Sequence, residues 1–225
     1  MAKCANCGKK GFLLTVNSDS LCEECARPKD FTDTVTGALQ GFWEIPFGTE
    51  SYTASKMLRA KIEELNGSQI AYFGNDDVLG PDWYRYSCLP SVSFAGYRAS
   101  LKIYIMNDKF YKGTVTLGET KGAYGYKDSF EVSLFFDLYK KYSNPLGDKK
   151  APFSKYINSY TWKFENDAHI KFFRDNNFFD AKGYTWRTEY VDDRMAGLEE
   201  EKKRALSAEW EAKKAKEAER LTTEL

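Results

Sequence analysis

Between residues 31 and 192 apolar and polar side chains alternate in short runs. In Tyr160-Thr-Trp162-Lys-Phe164-Glu the aromatics fall on one face, with Thr161, Lys163 and Glu165 on the other. A period of two is the signature of a half-buried strand. Ala168-His-Ile170-Lys-Phe172, Tyr184-Thr-Trp186-Arg-Thr188-Glu-Tyr190 and Phe130-Glu-Val132-Ser-Leu134 repeat the scheme. Leu101–Met106 and Phe110–Leu117 add two more strands. Asn107-Asp108 and Asn166-Asp167 stand between adjacent runs, and both residue types tolerate left-handed backbone, so tight hairpins are expected there. One helix interrupts the pattern: Ala54, Leu58, Ile62 and Leu65 recur at helical spacing, with Gly67 as the stop. A second, short one is expected near Leu138–Tyr142. The predicted body, residues 31–192, is mainly β, an antiparallel barrel or sandwich with one inserted helix.

From residue 193 the pattern changes to a charged helix extending to residue 225. Glu199→Lys203, Glu200→Arg204 and Glu209→Lys213 have the favourable i,i+4 order. Its apolar seam is thin, made of Ala205, Ala208, Ala212 and Ala215, so a solvated helix and a docking helix both remain open. Trp210 is the residue expected to meet a partner, because an indole on a polar helix is a typical anchor.

Composition narrows the function classes. The 225 residues are 42 % hydrophobic, which suffices for a core, and no run reaches the ~18 to 20 apolar residues of a membrane span. No apolar stretch follows Met1-Ala-Lys, so a cytoplasmic location is expected. Charge is balanced, with 33 Lys+Arg against 33 Asp+Glu. It is also nearly balanced within residues 1–30, 31–192 and 193–225 taken separately. Nucleic acid is disfavoured on that ground, although a folded basic stripe is compatible with neutral segments.

Four of the five cysteines lie in residues 1–30, as Cys4-Ala-Asn-Cys7 and Cys22-Glu-Glu-Cys25. Two such pairs are a strong zinc signal, since two intervening residues let a tight knuckle aim both sulfurs at one ion. Gly8 would supply the knuckle's unusual backbone angle, Phe12–Val16 reads as a strand, and residues 17–20 as a turn. Disulfides or free thiols are the alternatives, and a cytoplasmic setting favours zinc over disulfides. With four thiolates the tetrahedron is full, so the ion is expected to be structural. The segment from Cys4-Ala-Asn-Cys7-Gly8 to Leu21-Cys22-Glu-Glu-Cys25 resembles the treble-clef or zinc-ribbon modules found at the N-terminus of many bacterial and phage proteins. Pro28 limits any helix after the second pair to about one turn, which leaves clef and ribbon both open.

A second resemblance covers the body. Leu39-Gln-Gly41-Phe-Trp43-Glu-Ile is similar to the Gly-x-Trp opening strand of lipocalin-like (calycin) barrels, and a helical segment follows it. That resemblance implies an Arg of the last strand, here Arg187, packed over Trp43 at the barrel base. It further implies aromatics such as Trp162 and Trp186 lining a cavity for a small apolar ligand. Other antiparallel bodies fit the alternation equally.

Signals for catalysis are sparse. His169, the only histidine, sits in a predicted strand with no motif around it. Cys88 pairs with no other candidate than His169, and reads more simply as a small buried hydrophobe. Asp76, Asp77 and Asp82 match no calcium loop. Gly118–Gly125 matches neither a P-loop nor a dinucleotide fingerprint. The expected function is a non-enzymatic, zinc-containing interaction protein of bacterial or phage origin, docking a protein partner or self-associating. A calycin-like binder of an apolar ligand is the alternative.

Overall fold

A computed structural model describes residues 1–5, 7–18, 20–27, 29–64, 72–76, 80–94, 97–117, 127–146, 157–175 and 185–223. The elements in chain order are β1 (Ala2–Lys3), β2 (Lys10–Gly11), α1 (Glu23–Ala26), β3 (Lys29–Val35), β4 (Gly41–Phe42) and β5 (Ile45–Pro46). They continue with α2 (Ser51–Glu64), β6 (Tyr72–Asp76), β7 (Gly80–Phe94), β8 (Tyr97–Met106), β9 (Lys109–Leu117) and α3 (Lys127–Tyr142). β10 (Ile157–Phe164), β11 (Ala168–Asp175), β12 (Thr185–Asp192) and α4 (Asp193–Thr223) complete the chain.

Eight strands form one sheet in the order β3-β10-β11-β12-β9-β8-β7-β6. All its pairs are antiparallel except β3 with β10, which is parallel. The sheet ends in β3 and β6, so the expected barrel is corrected: the sheet is open and mixed. Alternation along a strand reports one buried face, and it is silent on whether a second sheet or helices do the burying.

Here helices and a hairpin do it. Ala54, Leu58 and Ile62 of α2 are buried in one core cluster with Leu101, Ile103, Ile105 and Phe110 of the sheet. Phe135 of α3 lies within ring contact of Tyr160 (5.5 Å), Trp162 (6.2 Å) and Phe172 (5.6 Å). The expected strand Phe130–Leu134 is therefore also corrected: it is part of α3, a 16-residue helix, and among the described residues the body holds two long helices. Phe135, Leu138, Tyr139 and Tyr142 recur at three- and four-residue steps, and this stripe fits a helix facing the core, whatever the local alternation.

Two expected hairpins are present. Asn107 and Asp108 both have positive φ (49° and 60°) between the paired residues Met106 and Lys109. Asp167 (φ 52°) closes the β10–β11 turn, where Phe164 pairs with Ala168. The Gly41-Phe-Trp43-Glu-Ile run is a third hairpin and not an opening strand: Phe42 pairs with Ile45, and Trp43 and Glu44 take φ of 49° and 65°. Both Phe42 and Ile45 are fully buried, and their burial holds the turn in place against the cost of left-handed backbone at two ordinary residues.

Candidate metal centre

The head folds around its sulfurs. β1 and β2 pair across the first cysteine pair, Ala2 opposite Gly11 and Lys3 opposite Lys10. Between them the Gly8 amide donates to the Cys4 carbonyl at 3.0 Å and the Cys4 amide to the Lys9 carbonyl at 2.9 Å. Gly8 has φ 74°, as its place in the knuckle suggested. Phe12–Val16 is not a strand: Phe12 and Leu13 form an exposed bend, and only Val16 bridges to Cys22. The turn over residues 17–20 does form, with the Ser20 amide donating to the Asn17 carbonyl and the Leu21 amide to Asn17 Oδ1. It carries Cys22 back beside Cys4, whose Sγ accepts the Cys22 amide at 3.4 Å. Cys22 then caps α1, a single turn that lifts Cys25 toward the other sulfurs.

The four Sγ atoms of Cys4, Cys7, Cys22 and Cys25 all lie within 4.8 Å of one another. Cys7 and Cys22 sulfurs are 3.8 Å apart. That is far beyond a disulfide bond of about 2.05 Å, and none of the four cysteines is in a disulfide. It matches the edge of a tetrahedron whose metal–sulfur bonds are about 2.3 Å, for which geometry gives about 3.8 Å. Cys4 and Cys22 are buried, Cys25 is half-buried and Cys7 is exposed. The Lys9 backbone N–H lowers the Cys7 thiol, but loss of water and hydrogen bonds with the Cys4, Cys25 and Cys22 sulfurs outweigh it and push Cys7 up to about 11. Four thiols packed this closely shed their protons readily only when a cation takes the charge. The donor set thus fits a soft, tetrahedral metal ion. Lys9 is ion-paired to Glu24 at 2.9 Å across the knuckle, a surface strut between the two halves of the site.

The remaining candidates are scattered. Trp162 and Trp186 are buried core residues, Trp162 stacked on Tyr160 at 4.7 Å and Trp186 on Phe172 at 4.4 Å. Trp43 stacks on Phe42, which in turn meets Tyr190 on the core face of the sheet. Arg187 is on the opposite face, its guanidinium 5.9 Å from the Phe173 ring centroid. The sheet separates Trp43 from Arg187, so the calycin-type contact between them is not formed. His169 Nδ1 lies 2.5 Å from Asp193 Oδ1 at the start of α4. Cys88 and Asp82 lie in β7 and Asp76 in β6, while Asp77 and Gly118–Gly125 fall outside the described residues. Trp210 is 59 % exposed, with Lys214 Nζ 5.0 Å from its ring centroid. Among the described residues no helix is long and apolar enough to cross a membrane.

Compared with known proteins, the chain matches no family model, no curated protein and no solved structure.

Proposed function

We propose that this chain is a zinc-stapled interaction protein that docks a protein partner, or a second copy of itself, through α4. The observation that carries the reading is the run of exposed helix beyond the sheet. At 31 residues α4 is about 46 Å long, and it touches β9, β11 and β12, with Asp193 against His169 and Glu199 against Tyr111. From residue 200 to 219 every residue is exposed except Leu206, which is half-buried. Met195, Glu199, Leu206 and Trp210 follow one another along one side of the helix at helical spacing. The side that meets the sheet thus continues past it as Leu206 and Trp210. Tyr111 donates to Glu199 Oε2 at 2.7 Å and marks where this contact ends.

Zinc is the ion that best suits four thiolates, and the head is read as a treble clef: a knuckle on a hairpin, with the second cysteine pair at a helix start. No observation favours the calycin-like alternative, since Trp162, Trp186 and Phe172 fill the sheet's inner face.

Deletion of residues 205–225 tests the docking reading. Pull-down and sedimentation should show association lost, with the melting temperature of the body unchanged. Association by the shortened chain equal to that of the full chain would overturn it. Elemental analysis should find one zinc per chain.

A further inference from the structure

The two faces of the large sheet are unlike. One is apolar and covered by α2, α3 and the β4–β5 hairpin. Among the residues whose side chains are described, the other carries five cations, on five adjacent strands: Lys163 on β10, Lys171 on β11, Arg187 on β12, Lys112 on β9 and Lys102 on β8. The pairing register puts all five on the same side, because Lys163 opposes His169, Phe173 opposes Arg187, Val191 opposes Lys112, and Thr114 opposes Lys102. Neighbouring strands are about 4.8 Å apart, so the row of cations spans about 19 Å.

Along the strands two described carboxylates share this face, and others border it: Glu165 in the β10–β11 turn accepts from the Gly37 amide, and where α4 covers one end Asp193 meets His169 and Glu199 accepts from Tyr111. Glu189 lies 3.5 Å from Lys112 and 3.9 Å from Arg187 and holds both side chains in place. Asp30, at the β3 edge, accepts hydrogen bonds from Ser159 and Asn158. On the strands themselves five described cations thus face two described carboxylates, although the whole chain is neutral. Two aromatic rings sit among the cations. Phe173 is flanked by Lys171 (5.2 Å) and Arg187 (5.9 Å), and Tyr104 by Lys112 (5.0 Å). Both rings are half-buried, as are Lys171, Arg187 and Lys112, while Lys163 is exposed.

We propose that this face binds single-stranded nucleic acid. The cations meet phosphates along the row, and Phe173 and Tyr104 offer π faces on which bases stack. An acidic peptide would use the cations and leave the rings idle. The placement of rings between cations is what favours a nucleic acid. The near-neutrality of each segment carries no weight against this, because the sheet gathers cations from five strands onto one side.

The test is fluorescence anisotropy of the full-length chain with a labelled 15-nucleotide oligo-dT, over a range of salt, with polyglutamate as competitor. Binding is expected to weaken with a log–log salt slope of about −0.7 per phosphate neutralised. Lys163→Ala with Lys171→Ala should flatten the slope by about 1.4 and weaken binding about tenfold. Phe173→Leu should weaken binding about fivefold or more with the slope unchanged. Lys163→Glu, at an exposed site, should weaken binding without altering the melting temperature, which separates lost contacts from lost folding. The proposal is overturned if oligo-dT does not bind at low salt. It is equally overturned if the lysine variants bind like wild type, or if Phe173→Leu is silent and polyglutamate displaces the oligonucleotide at equal charge.

Discussion

Gly113 shows how a single position constrains the core. A Cβ there would sit 2.3 Å from Phe42 Cγ and 2.7 Å from Phe42 Cβ, atoms close to the backbone that cannot swing away. The strand leaves out a side chain at this point so that the hairpin can lay Phe42 on the sheet. Gly113→Ala should therefore destabilise by about 1–3 kcal/mol, despite alanine's better strand propensity. A thermal melt should show the loss, and adding Phe42→Leu should recover part of it.

Asp30 carries a pH signature. Hydrogen bonds from Ser159 and then Asn158 hold its carboxyl below the usual range. The folded state thus prefers the ionised form, and the gain is fully present above the unfolded value of 3.8 and lost as pH falls through the lowered one. In urea titrations the gap between wild type and Asp30→Asn should be constant above pH ~5 and shrink on acidification below pH ~4. A gap independent of pH would remove Asp30 as its source.

At the scale of elements, the head is expected to depend on a bound metal ion and the sheet is not. Two-residue strands and a one-turn helix hold themselves weakly, and Cys4, Leu21 and Cys22 form their own small buried cluster, separate from the main core. Cys4→Ser should abolish stoichiometric zinc, and a chelator should expose the amides of β1, β2 and α1 to hydrogen exchange while β10–β12 stay protected. Loss of protection in both regions together would show that head and sheet unfold as one unit.

This centre was legible in the sequence because its ligands come in local pairs. The pairing of β8 with β9 and of β10 with β11 was legible for the same reason, each hairpin being closed by a short turn of recognisable chemistry. α3 was not. Residues 130–134 alternate like a strand, and only the downstream stripe through Phe135, Leu138, Tyr139 and Tyr142, meeting Tyr160 and Trp162, settles the helix.

For the molecule as a whole the deciding fact is which faces are covered. Phe31 and Val35 on β3 pack against the core beside Tyr160, so the parallel strand extends the inner face to the edge of the sheet. α4 covers only one end of the other face and then leaves it. Removing residues 205–225 should thus leave the melting temperature within about 1 °C, whereas substituting Tyr111 or Glu199, where α4 is anchored, should lower it. If the truncation instead melts much earlier, the distal helix packs on the body and is not free to dock.

What the sequence determined by itself is what depends on near neighbours: four sulfurs in two pairs, the alternating strands, two Asn-Asp turns, and a charged helix from residue 193. Tertiary structure decided the rest. Closure of a sheet, the face on which Arg187 emerges, and the gathering of five cations onto one side all depend on register between distant strands. A one-residue shift in register exchanges the two faces of a strand, and no local pattern encodes which partner sets it.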